Sequence, residues 1–86
     1  MDTHPVGTRV VALVSLPEDG PVPIFGYGVY VGNFVPPGDL HRNPRIDLDG
    51  GGVVWGYQCW WFPLWDILTA TLAARGTEVV PLPVGD

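Results

Sequence analysis

A chain of 86 residues with a net charge of −5, whose four cationic side chains are Arg9, Arg42, Arg45 and Arg75 with no lysine, is one domain and a poor ligand for polyanions. Nucleic-acid affinity rests on neutralising phosphates, so a nucleic-acid partner is not expected. A low charged fraction argues against disorder, the single cysteine, Cys59, forbids an intrachain disulfide and fits the cytoplasm, and neither a secretory signal nor an apolar run of transmembrane length is legible.

Residues 1–7 are polar with Pro5 and Gly7 and are expected to fray. Residues 8–16 form a first strand with Val10, Ala12, Val14 and Leu16 on one face and Val11 and Leu13 on the other. A strand apolar on both faces belongs inside a sheet. Residues 17–23 are a loop turning at Asp19-Gly20. Residues 24–34 are a second strand, bent where Gly26, Gly28 and Gly32 interrupt it. Val31 stands where a dinucleotide fingerprint needs glycine, and no strand-to-helix turn surrounds it, so a phosphate loop is rejected. Residues 35–43 form another loop.

Asp49-Gly50-Gly51-Gly52 then separates residues 44–48 from residues 53–61 as a hairpin. A turn centred on Gly50-Gly51 sets Leu48 opposite Val53 and Ile46 opposite Trp55, all on the core face. Arg45 and Asp47 then face outward beside Val54 and Gly56. Tyr57, Cys59 and Trp61 follow Trp55 inward, while Gln58 and Trp60 follow Val54 outward; a bulge near Gly56 would exchange the two sets. In either case the neighbouring Trp60 and Trp61 face opposite sides. Residues 63–75 are the one helix, with an apolar stripe of Leu64, Ile67, Leu68 and Leu72, Asp66 near its start, and Arg75 and Gly76 at its end. Residues 77–82 are a short edge strand, confined there by Pro81 and Pro83.

Short bent strands with glycine corners predict a mainly β fold: a small half-open barrel of about five strands with one short C-terminal helix. GYGVYVG followed by RIDLDGGGVVWGYQCWW resembles the glycine-rich SH3-like barrels, nearest the CAP-Gly type, through Gly28, Val29, Tyr30, Val31, Gly32 and residues 46–60. The lysine-asparagine-aspartate signature of CAP-Gly domains is absent, so the likeness implies the SH3-like fold and not tail-peptide recognition. The pattern NPRIDLD followed by VVWG-x-QCWW also resembles small bacterial proteins, a likeness that implies no activity.

No catalytic or metal-binding set stands out, so neither an enzyme nor a cofactor is expected. His4 in the tail and His41 in a loop read as solvated or capping groups. Cys59 reads as a packed thiol rather than a nucleophile. Asp47 and Asp49 lack a third ligand, so Asp49 reads as turn chemistry and Asp47 as a partner for Arg45.

One constellation points to binding. Arg45, Asp47, Gln58 and Trp60 share the outer side of the hairpin, and Arg42 and Asn43 approach from the preceding loop. A flat ring flanked by an amide and a guanidinium suits a peptide, a planar small molecule or a nucleobase. The expected function is a non-enzymatic adaptor that recognises a protein segment through exposed aromatics near Trp60 and Tyr30. The alternatives are a protein that sequesters a small molecule or nucleotide derivative, and a structural homo-oligomer such as a homodimer joined through the helix stripe. The outer-face site requires that the helix leave Trp60 open.

Overall fold

In the computed structural model, which describes residues 4–82, Arg9–Leu13 (β1) is buried from both sides. Val10 and Ala12 enter one cluster with Phe25, Tyr30, Ile46 and Val54. Val11 and Leu13 enter a second with Val22, Ile24 and Leu72. The alternation in the sequence therefore reports a central strand. β1 is shorter than expected, because the chain bends at Val14, and this throws Leu16 outward instead of carrying it into the core.

Val22–Phe34 (β2) pairs antiparallel with β1 and then with Asn43–Leu48 (β3). Its ladders slip at Phe25 and Val31, next to Gly26 and Gly32, whose φ values of 147° and 122° suit glycine. Val53–Trp55 (β4) pairs with β3 at one edge of the sheet, and Trp60–Pro63 (β5) pairs with β1 at the other. Thr77–Val79 (β6) runs parallel to the start of β2. The mainly β fold is thus one open sheet in the order β4-β3-β2-β1-β5, with β6 beside β2.

The hairpin register differs from expectation by one residue. Ile46 opposes Val54, and Trp55 opposes Arg45; the expected pairs Leu48–Val53 and Ile46–Trp55 do not form. The turn is longer than a two-residue loop: Leu48 N–H donates to Gly52 O at 3.1 Å, and Gly51 and Gly52 take positive φ. A one-residue slip exchanges the faces of a strand. Here it buries two β-branched side chains, Ile46 and Val54, completely and sends Trp55 to the outer face.

Residues 53–61 are also not one strand. A 3-10 turn at Gly56–Gln58 interrupts them. Gln58 Oε1 accepts the Trp55 N–H at 2.9 Å, and a side chain at residue 56 would meet the ring of Pro44 at 2.9 Å. The turn resets the alternation. Cys59 and Trp61 pack against the first cluster as expected, but Tyr57 faces solvent.

Ile67–Arg75 (α1) starts later than expected because Pro63 belongs to β5. Asp66 caps it by accepting the Leu68 N–H at 2.9 Å, and Gly76, at φ 89°, closes it by donating to Leu72 O at 2.8 Å. Leu64, Leu68 and Leu72 dock on the second cluster, whereas Ile67 is 84% exposed and lies outside the stripe. After β6, Leu82 returns to the first cluster. Of the stretch expected to fray, residues 1–3 lie outside the described residues. Gly7 N–H donates to Tyr30 O at 2.8 Å, and the His4 ring lies edge-on to Trp61 and Trp65, 5.7 Å from each, rather than being simply solvated. Among the described residues no helix is long and apolar enough to cross a membrane.

Candidate functional site

Trp60 opposes Leu13, so its indole lies on the sheet face that carries Val11, Leu13 and Phe62. α1 docks on that same face but does not cover the indole, which remains 66% exposed. Trp61, one residue on, turns inward and stacks on Tyr30 at 5.2 Å, with the ring planes 18° apart. The two neighbouring indoles therefore divide as strand alternation requires: one supports the core and the other meets solvent.

Grooves open on both sides of Trp60. One is lined by Leu13, Ser15, Leu16 and Phe62 and is mostly apolar. The other runs toward the 3-10 turn, past Tyr57, Gln58 and Cys59. Leu16 is 50% exposed and Tyr57 61%. Both owe that position to irregular backbone, the bend after β1 and the 3-10 turn before β5. This is why a reading based on continuous strands placed them inside. A glycine followed two residues later by a polar amide, Gly56 and Gln58, was the available hint of the turn.

The expected constellation does not assemble into one surface. Arg45 Nε donates to Asp47 Oδ1 at 2.9 Å, and its guanidinium lies 5.9 Å from the centre of the Phe34 ring. Arg42 Nη1 donates to Asn33 O at 3.1 Å, and Asn43 Nδ2 donates to His41 O at 3.2 Å. These four residues gather at the β3 end of the sheet. Trp60 lies beyond it, because β5 pairs with β1 and so has β1 and β2 between it and β3, whereas Gln58 stays beside β3, in a turn whose Gly56 lies against Pro44. Gln58 spends its side-chain oxygen closing the turn. Tyr30 is only 3% exposed, and its hydroxyl donates to Asn33 Oδ1 at 2.8 Å, so it is a core residue and not part of an open aromatic surface.

The remaining reactive groups are held in structural contacts. Both Asp49 oxygens accept from the Arg9 guanidinium at 2.6 Å, which holds the carboxyl below its ordinary range; an exposed pair of this kind adds little to stability. Among the described residues no three His, Cys, Asp or Glu side chains converge as a metal site would require. Cys59 Sγ lies 3.6 Å from Trp55 O, and burial pushes its thiol up to about 11. At pH 8 its thiolate fraction is then about 200-fold below that of a free cysteine, partly offset by the roughly tenfold greater nucleophilicity of a more basic thiolate. Alkylation by iodoacetamide is expected to run at least about twentyfold slower in the folded chain than in urea. Equal rates in the two states would show an ionised, accessible thiol.

Comparison of the chain with protein-family models, with curated proteins and with solved structures returned no match.

Proposed function

We propose that the chain is a non-enzymatic binding module that recognises a segment of another protein on the surface formed by Leu16, Tyr57 and Trp60. The carrying observation is Trp60 itself, a large indole left two-thirds exposed by a domain with a small core to fill. It projects from a paired strand, so its position costs little entropy to hold when a partner docks. The open grooves beside it favour an extended segment over a small molecule, which is usually enclosed on most of its surface. The strand order β4-β3-β2-β1-β5, with a 3-10 turn ahead of β5, supports the reading of the sheet as an SH3-like half-open barrel. The unpaired Cys59 supports a cytoplasmic setting.

Selection of displayed random peptides on the full chain tests this reading. Peptides so obtained are expected to lose about thirtyfold or more in affinity on Trp60→Ala, the loss typical of an aromatic anchor. The urea midpoint of that variant should stay near that of the parent. Selected peptides that ignore Trp60→Ala, or a variant that unfolds, would overturn the assignment.

A further inference from the structure

We propose that the segment recognised at Trp60 is cationic, carrying an arginine or lysine beside an apolar residue; this rests on the segment-binding reading above. The groove formed by Leu13, Leu16 and Trp60 runs into the loop that follows β1, where Glu18 and Asp19 are exposed. Glu18 is two residues from Leu16, so their Cα atoms lie within about 7 Å. Arg75, at the end of α1, holds this loop through its carbonyls rather than its carboxylates: Nη2 donates to Pro17 O at 2.7 Å and Nε to Gly20 O at 3.0 Å. Among the described residues neither Glu18 nor Asp19 has an ion-pair or hydrogen-bond partner for its side chain. Arg75 offsets one of these two charges, so the loop borders the groove with a net charge near −1.

Among the described residues the chain has few cations of its own to spare for this rim. Arg9 is paired with Asp49 and Arg45 with Asp47, Arg75 is held by the loop itself, Arg42 donates to the neutral Asn33 O, and there is no lysine. A second copy would bring Arg42 as its one arginine without a carboxylate or this loop in contact, so the counter-charge is assigned to a different protein. The indole face adds to the selection. A guanidinium or ammonium over tryptophan is attracted by the ring quadrupole, while its aliphatic stem covers apolar surface such as Leu16. The adjoining apolar residue of the partner seats against Leu16 and Phe62.

Peptides selected on the full chain are expected to be enriched in arginine or lysine next to Leu, Ile or an aromatic. Their affinity should fall about fivefold to tenfold in the double variant Glu18→Gln/Asp19→Asn, and should weaken with added salt in the parent more than in the variant. Thermal midpoints of parent and variant should agree. Neutral or acidic peptides that still depend on Trp60, or binding indifferent to the double variant, would overturn the cationic assignment and leave segment binding standing. The absence of any Trp60-dependent peptide would remove both. Sedimentation showing a dimer that Trp60→Ala dissociates would instead assign the surface to a second copy.

Discussion

Gly28→Ala is expected to unfold the domain or to leave it more than about 3 kcal/mol less stable, at the upper end of what overpacking costs. A Cβ at residue 28 would lie 2.3 Å from Asp47 O and 2.9 Å from both Asp47 C and Leu48 Cα. All three are backbone atoms of the neighbouring strand, so no rotamer change relieves the clash. β2 and β3 would have to part where they are hydrogen-bonded, and Ile46, which β3 presses against Val54, would move with them. Domains of this class have only about 5–15 kcal/mol to lose. Gly50→Ala is the control, since a Cβ there meets nothing within 4 Å. Urea midpoints that fall together for the two variants would refute the close approach of β2 and β3.

Leu72→Ala is expected to cost about 2–5 kcal/mol, the range for truncating a buried leucine. Leu72 is 1% exposed and is the one fully buried residue of α1. A helix of nine residues has little stability of its own, so its place depends on this contact and on Leu64 and Leu68. Ile67→Ala, at an exposed position, should stay within about 0.5 kcal/mol of the parent. If Ile67 proved the costlier of the two, the helix would be docked by a different face. The distinction follows from where the helix starts. Ile67 is its first residue and sits about 100° around the axis from Leu68 and about 140° from Leu72.

The features legible in the sequence were those set by one residue and its immediate neighbours. Alternation in β1 marked a strand covered on both sides, Gly26 and Gly32 marked the bends of β2, and Gly76 marked the end of α1. The opposed faces of Trp60 and Trp61 followed from strand geometry alone. The register of β4 did not. Val53, Val54 and Trp55 are all apolar, and three consecutive glycines permit either turn length, so only the fit of Val54 against Ile46 decides it. Nor did the break at Gly56 follow, since it depends on Pro44 standing over that residue from another strand. That break sends β5 across the sheet to β1, which is why Trp60 parts from Arg45 and Asp47 and meets Leu16 instead.

The pairing of β1 with β5 also bears on how the chain comes off the ribosome. β1 is made before both of its mates, one of them roughly fifty residues later, and Leu72 later still. Until then its valines and Leu13 have cover on one edge only. An emerging chain of this protein thus carries a core strand half-dressed until β5 and Leu72 follow, the interval in which wrong associations form most readily.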